Sequence, residues 1–323
     1  MEFLKSAWFA LALTCAWPVA ADDTYPAKPI RIFVGFAPGG GTDVMARIVA
    51  PRMSERLGQP VIIENRPGAG GNLATEAVAK AAPDGYTLLM GTIAALAINP
   101  SLYRNLPFDP VRDFAPISLG VSLANVVVVN SSLAVRTLPE LIALAKQQPG
   151  KISYSSSGNG TAGHLSGALF ESMANVSLLH VPYKSGGQAM TDLIGGQVNM
   201  SFAAAPGAIP QIKAGKIRAL AVTTRSRSAF LPEVPTVAEA AGITGYESSN
   251  WYGLVGPARL PKPIVDKLNA ALVATLNEPA TRDKLALQGL EATPSNPEEF
   301  SVFLRAELAK WAKVVKDTGS QPD

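Results

Sequence analysis

An apolar strand followed by a glycine-rich turn and a helix occurs twice in this 323-residue chain. In the first copy, a strand begins at Ile30, the turn is Pro38–Gly41, and the helix runs to Leu57. Thr42 or Gly41 is expected to cap this helix. Glycine lets the backbone approach a ligand closely, and the unpaired N–H groups of a helix start attract anions. The pattern predicts either a carboxylate or phosphate site or an ordinary strand-to-helix connection.

The second copy has a strand at Ile152–Ser156, a turn at Ser157–Gly163 and a helix at His164–Ala174. Strands elsewhere are predicted at Pro60–Glu64, Tyr86–Gly91 with a continuation to Ala97, Ser177–Pro182, Val198–Ala203 and Ala219–Thr223. Strands that alternate with helices in this way indicate parallel βαβ units and an α/β fold. Ligands of such sheets bind at the carboxyl ends of the strands, where both glycine turns lie.

Two long apolar segments indicate a two-domain organisation. Ile117–Val129 is β-branched and too short to span a membrane, so it predicts a buried strand that crosses between domains. Residues 244–256 predict a second crossing. The expected division is residues 22–122 with 251–323 as domain 1, and residues 123–250 as domain 2.

The first 21 residues have the features of a secretory signal peptide. Lys5 provides the charged start, Ala7–Ala16 the apolar segment, and Ala21 the expected cleavage point. A retained N-terminal anchor is the alternative. Cleavage would remove Cys15, the single cysteine, and with it any disulfide or thiolate site. The predicted location is the periplasm.

Composition and motifs argue against several functional classes. The formal net charge is +3 without a basic cluster, which disfavours nucleic-acid binding. Gly158-x-Gly160-x-x-Gly163 matches a dinucleotide fingerprint, but the acidic residue expected after the next strand is missing. Neither metal-binding spacing nor a GxSxG nucleophile motif is found. No cofactor, metal or enzymatic activity is therefore predicted, although Ser155–Ser157 near His164 leaves a secreted serine hydrolase as the rival reading.

Two glycine turns on two lobes joined by two crossings are typical of a hinged protein that closes on an anion. A helix start contributes at most about 2 kcal/mol to an anion, far less than the roughly 8 kcal/mol of a micromolar complex. Hydroxyl groups of Thr42, Ser156, Ser157 and Thr161 are expected to add about 1.5–3 kcal/mol for each charge-assisted hydrogen bond.

Short motifs along almost the whole mature chain carry a family resemblance. They are FAPGGGTDVMAR (36–47), ENRPGAGGN (64–72), PDGY (83–86), INP (98–100), LPFDP (106–110), SGNGTAGHL (157–165), HVPYK (180–184) and PEVPT (232–236). In this order they resemble the extracytoplasmic solute receptors of the tripartite tricarboxylate transporter, the Bug family.

The resemblance implies a type II periplasmic-binding-protein fold of two α/β domains with a ligand cleft and two interdomain crossings. It implies that Phe36–Asp43, which contains the first glycine turn, and Ser156–Thr161, which overlaps the second glycine turn, hold a ligand carboxylate. It also implies that Thr92–Ala97 shapes the distal pocket. The expected ligand-binding residues are Phe36, Ala37, Gly40, Gly41, Thr42, Asp43, Thr92, Ala94, Ser156, Ser157, Gly158, Thr161 and Ala204.

The resemblance also implies partners: a small carboxylate ligand and the membrane permease subunits of the transporter, with the receptor itself a monomer. A ligand sensor without a transport role is an open alternative. Thr92–Ala97 and Phe202–Pro206 contain no charged residue, whereas acidic or amide residues are common in relatives at the second segment. This difference favours a ligand with an apolar or aromatic body.

Overall fold

The computed structural model describes residues 25–321, so the predicted signal peptide, Cys15 and the cleavage point at Ala21 lie outside the described residues. The strands are β1 (Ile30–Val34), β2 (Val61–Asn65), β3 (Thr87–Thr92), β4 (Phe114–Asn130), β5 (Ser153–Ser156), β6 (Leu179–Pro182), β7 (Met200–Ala204), β8 (Ile217–Val222), β9 (Ser249–Pro257) and β10 (Glu291–Ala292). The helices are α1 (Gly41–Leu57), α2 (Asn72–Ala79), α3 (Asn99–Leu102), α4 (Leu138–Gln147), α5 (Ala162–Ala174), α6 (Gly186–Ile194), α7 (Ala205–Lys213), α8 (Val237–Ala241), α9 (Lys262–Asn277), α10 (Pro279–Leu287) and α11 (Pro297–Thr318). A 3₁₀ turn (Ala69–Gly71) and a π-helical turn (Ala94–Ile98) complete the described elements.

One long strand joins two halves of the sheet. The strand order is β2-β1-β3-β9-β4-β7-β5-β6, and β8 and β10 also pair with β4. From Phe114 to Ala124, β4 pairs antiparallel with β9, whereas from Asn125 it pairs with β7 and β8. This divides the molecule into a first lobe around β1, β2, β3 and β9 and a second lobe around β5 to β8. The sequence prediction that the apolar run crosses between lobes is confirmed.

Each lobe has its own apolar core, because parallel strands covered by helices on both faces must be apolar throughout. In the first lobe, Ile30, Met45 and Leu254 pack together on one side of the sheet. In the second lobe, Val127 and Phe202 belong to a separate cluster. We propose the predicted domain bounds, 122/123 and 250/251, as the division between lobes, since the change of strand partner at Ala124–Asn125 lies close to the first of them.

The C-terminal helix completes the first lobe. Phe300 and Trp311 of α11 are fully buried. Asn296 caps the helix through Glu299, forming a complete capping box. The carboxylate of Glu307 accepts hydrogen bonds from the indole nitrogens of Trp251 (2.9 Å) and Trp311 (3.1 Å), which ties α11 to β9.

The α/β fold class is confirmed, but two local predictions are wrong. Helix α1 is capped by Gly40 rather than by Thr42 or Gly41, and no side chain caps it. The predicted continuation of β3 to Ala97 is instead a π-helical turn from Ala94, because small apolar residues pack equally well in a helix. No helix among residues 25–321 is both long and apolar enough to cross a bilayer.

Candidate ligand-binding site

A cavity of about 390 Å³ lies between the two lobes, where four helices begin. The first residues of α1, α5 and α6, together with Ala204 and Pro206 at the start of α7, line it. The starts of α1, α5 and α7 have no side-chain cap, so their first N–H groups are open to a ligand. The cavity therefore concentrates hydrogen-bond donors and the positive ends of four helix dipoles.

Most of the residues predicted to bind ligand meet in this cavity. Those that line it are Phe36, Gly40, Gly41, Thr42, Thr92, Ala94, Ser156, Ser157, Thr161 and Ala204. Ala37, Asp43 and Gly158 are not part of the lining, and their carbonyl or carboxylate oxygens bind the turns themselves. We assign these three residues to shaping the turns, while ligand contact by the other ten stays a prediction.

The first glycine turn is held by a buried carboxylate. Asp43 accepts hydrogen bonds from the backbone N–H of Gly39 (2.9 Å), the amide of Asn65 (2.8 Å) and the guanidinium of Arg47 (3.0 Å). Burial alone raises the pKa of Asp43, but these hydrogen bonds outweigh it and hold the pKa below its ordinary value. Asp43 therefore remains charged while it fixes the turn, and its charge is offset by Arg47.

Tyr252 on β9 is a site residue that the sequence analysis missed. Its ring lines the cavity, and a Cβ added at Gly41 would lie 2.6 Å from its hydroxyl oxygen. Burial raises the pKa of Tyr252 to about 12, and hydrogen bonds from Thr42 and Asn250 oppose that rise. The Tyr252 hydroxyl therefore lies at the cavity wall beside the polar side chains of Thr42 and Asn250.

The second glycine turn is held by neutral groups and two histidines. The backbone N–H of Gly160 donates to Nδ1 of His164 (3.1 Å), and Ser156 Oγ lies 2.7 Å from Nε2 of His180. The two imidazole rings stack with centroids 4.3 Å apart. Thr161 donates its hydroxyl to the carbonyl oxygen of Gly158 (2.7 Å). The histidines therefore support the turn from behind.

The predicted alternative of a serine nucleophile next to His164 does not match this geometry. The histidine that contacts Ser156 of this cluster is His180, whereas Nδ1 of His164 accepts from the backbone of Gly160. Ser155 is fully buried, and its hydroxyl makes no hydrogen bond within residues 25–321. Ser157 lines the cavity and has no side-chain hydrogen bond to any other described residue. It is thus available to a ligand, and no side chain within residues 25–321 is hydrogen-bonded to it as a general base would be.

Two further helix starts were also missed. Ser185–Gly187 opens α6 directly after β6, which is another strand, glycine turn and helix. Its signal was present in the sequence as a serine cap followed by two glycines. The start of α7 gave a weaker signal, since alanine and proline there replace the glycines. Asn125 and Asn250 on the crossing strands also line the cavity and were missed.

The cavity lining is uncharged. Among the described residues around it, none is lysine, arginine, histidine, aspartate or glutamate. Its apolar part includes Phe36, Ile93, Met190 and Pro210. Within residues 25–321, no three histidine, cysteine, aspartate or glutamate side chains are grouped as metal ligands would be. A bound anion would therefore be held by neutral donors and helix dipoles.

The lobes also touch directly beside the second glycine turn. A Cβ at Gly160 would lie 2.1 Å from Oδ1 of Asn99, and one at Gly70 would lie 2.9 Å from the carbonyl oxygen of Asn159. Both glycines have positive φ angles, +73° and +63°. Glycine at these two positions thus permits the close approach of the lobes at the edge of the cavity.

Comparisons with known proteins find chains of similar length and fold. Residues 45–320 match the family described as "Tripartite tricarboxylate transporter family receptor". The structure titled "R. palustris Rpa4515 with adipate" is 38% identical, covers 93% of this chain and 100% of its own, and has a TM-score of 0.90. The periplasmic binding protein BugD is 36% identical, with the same coverage and a TM-score of 0.88. MatC from Rhodopseudomonas palustris with bound malate is 31% identical over 90% of this chain and 100% of its own, with a TM-score of 0.86.

Proposed function

Because the chain belongs to the tripartite tricarboxylate transporter receptor family, a family of periplasmic solute-binding receptors, we propose that it captures a small carboxylate between its lobes and delivers it to the membrane permease subunits of such a transporter. We further propose secretion by a cleavable signal peptide and action as a monomer. The family consists of receptors rather than enzymes, so the serine hydrolase hypothesis is dropped.

The observation that carries this proposal is the convergence of open helix starts on one uncharged cavity. The first and second glycine turns face it from opposite lobes and offer backbone N–H groups together with the hydroxyls of Thr42 and Ser157. Each helix start contributes about 0.3–1 kcal/mol to an anion, and each charge-assisted hydrogen bond about 1.5–3 kcal/mol. A few such bonds reach the roughly 8 kcal/mol of micromolar binding.

The ligands of relatives and the walls of the cavity support a small carboxylate with an apolar body. Of the relatives above, Rpa4515 was solved with adipate and MatC with malate, and both ligands are dicarboxylates. In this chain, Phe36, Ile93, Met190 and Pro210 provide apolar surface next to the polar turns. We therefore propose that aliphatic or aromatic carboxylates bind better than citrate or aspartate.

A thermal-shift and calorimetry panel of mono-, di- and tricarboxylates tests the proposal. A ligand at 100 times its dissociation constant should stabilise the protein by about 2.7 kcal/mol. Ser157→Ala should weaken binding of every carboxylate that shifts the melting temperature, whereas the matched change Ser301→Ala on α11 should not. No stabilisation by any carboxylate would refute the proposed function.

The alternative of a ligand sensor shares the same binding site and differs only in its membrane partner. Co-purification with permease subunits from membranes, dependent on added carboxylate, supports delivery to a transporter. Uptake of the bound carboxylate that is unchanged when the gene is deleted would favour the sensor.

A further inference from the structure

Asn125 occupies the point where β4 passes from one lobe to the other, and its side chain faces the ligand cavity. The residue is only 1% exposed. Its backbone is fully paired with Thr223. The N–H of Asn125 donates to Oγ1 of Thr223 (3.1 Å), and the carbonyl oxygen of Asn125 accepts from the backbone N–H of Thr223 (2.9 Å). What Asn125 offers to the cavity is therefore its carboxamide.

The orientation of this carboxamide follows from the hydroxyl of Ser166 on α5. Ser166 Oγ lies 2.6 Å from the carbonyl oxygen of Ala162, which can only accept, so the single hydroxyl proton points there. Ser248 Oγ, 2.7 Å away, must then donate to Ser166, and so must Nδ2 of Asn125 at 3.0 Å. Because Nδ2 is the end of the carboxamide that bonds Ser166, the remaining end is the oxygen Oδ1.

Oδ1 of Asn125 accepts no hydrogen bond from any residue in the described part of the chain. When the lobes close on a ligand, water leaves the cavity, and an acceptor without a donor is then costly. We infer that the natural ligand carries a donor near its carboxylate and that Asn125 Oδ1 is the residue that selects for it. This inference rests on the proposed function of carboxylate capture.

The uncharged lining decides which donor fits. An ammonium group would be buried in a cavity whose described lining contains no aspartate or glutamate to balance it. A hydroxyl group is neutral and satisfies Oδ1 without a counter-charge. The inferred class is therefore a hydroxycarboxylate whose remaining atoms lie against the apolar wall, rather than an amino acid.

Matched ligand pairs that differ by one hydroxyl test the inference in calorimetry. The pairs are malate with succinate, 3-phenyllactate with 3-phenylpropanoate, and 2-hydroxyisocaproate with isocaproate. For the pairs that bind the wild-type protein, the hydroxylated member should bind about tenfold more tightly or better. Alanine and phenylalanine, added as zwitterions, should bind more weakly than the hydroxy acids of the same carbon skeleton, lactate and 3-phenyllactate.

Two variants separate selection by Asn125 from general damage to the site. Asn125→Leu should abolish the preference, so that the two members of each pair bind with equal affinity. Ser166→Ala, which does not alter the cavity lining, releases the amide of Asn125 to rotate and should lower the ratio in the same direction. The control Asn277→Leu, at the exposed end of α9, should keep the ratio.

The possible results distinguish this inference from the proposed function. If carboxylates bind but the members of each pair bind equally, or if the preference persists in both variants, the role of Asn125 is refuted and the carboxylate receptor stands. If no carboxylate binds, both fail. If Asn125→Leu does not fold, the ratio in Ser166→Ala decides alone.

Discussion

The first and second glycine turns have one sequence pattern but different supports. In the first turn, a buried ionised side chain, Asp43, binds the backbone of Gly39 and is paired with Arg47. In the second turn, the imidazole of His164 accepts from the backbone of Gly160, and His180 contacts Ser156. Both arrangements leave helix N–H groups open to the cavity.

This difference shows that the pattern specifies the shape of an anion site but not what stabilises it. Asp43 places a negative charge next to a turn that is expected to bind an anion. Arg47 offsets this charge, and Asn65 donates a further hydrogen bond to the carboxylate. In the second turn, an imidazole nitrogen of His164 and hydroxyl groups, rather than a carboxylate, make these hydrogen bonds. The two turns should therefore respond differently to mutation, acid and salt.

The largest effect is expected from removing the support of the first turn. Asp43→Ala deletes the acceptor for Gly39, Asn65 and Arg47 at once. Because the substitution removes a buried charge together with the hydrogen bonds from these three donors, the free energy of unfolding should fall by about 3 kcal/mol. Urea denaturation measures this value. The control Asp266→Ala, which removes a surface pair with Lys262, should cost no more than about 0.5 kcal/mol.

Lowering the pH should show how much the charge of Asp43 contributes to the free energy of unfolding. The pKa of folded Asp43 lies below its ordinary value of 3.8, so its contribution to stability is complete above that pH and is lost as the pH falls through the folded pKa. The difference in unfolding free energy between wild type and Asp43→Asn should be constant from pH 7 to about 5 and shrink below pH 3.8. A constant difference down to pH 2 would show that the charge of Asp43 has no role.

The second turn should lose less when its support is removed. His164→Leu leaves the N–H of Gly160 without its acceptor in a buried position, which should cost about 2 kcal/mol. Hydrogen exchange of residues 156–161 should become faster. His164→Asn restores an oxygen acceptor close to the position of Nδ1 and should recover most of the loss. Equal destabilisation by leucine and asparagine would mean that packing of the imidazole, not its acceptor, holds the turn.

Ligand affinity should depend on the space at the start of α1. In Gly41→Ala, the new Cβ would lie 2.6 Å from the hydroxyl oxygen of Tyr252, so this cavity-lining side chain must shift. We expect carboxylate affinity to fall about tenfold, or by 1.4 kcal/mol, in calorimetry. Gly40→Ala, whose Cβ would be 3.5 Å from the carbonyl oxygen of Ala37, is the matched control. Adding Tyr252→Phe to Gly41→Ala should recover part of the lost affinity, and failure to do so would place the clash elsewhere.

The local pattern predicted both turns, the parallel strands and the crossing strand β4, because these depend on glycine spacing and runs of apolar residues. It did not predict the role of Asp43, since a carboxylate in a first helical turn can face either a ligand or its own turn. That choice is made by Asn65, which β2 brings next to it. Tyr252 and Asn125 were missed because their places in the cavity depend on how β4 pairs with β9 in the first lobe and with β7 in the second, which are long-range contacts.

The smallest effect is expected at Arg47, whose side chain is 52% exposed. Arg47→Gln removes the positive charge beside Asp43 but leaves the bonds from Gly39 and Asn65 in place. Because solvent and salt screen a half-exposed guanidinium, the loss of unfolding free energy should be about 0.5–1 kcal/mol and smaller still in 0.5 M NaCl. Urea denaturation at low and high salt measures it, with Arg112→Gln, at an exposed pair with Asp113, as control. If Arg47→Gln lowered the unfolding free energy as much as Asp43→Ala does, charge pairing rather than hydrogen bonding would be what stabilises the first turn. The two turns would then differ in their need for an ion pair.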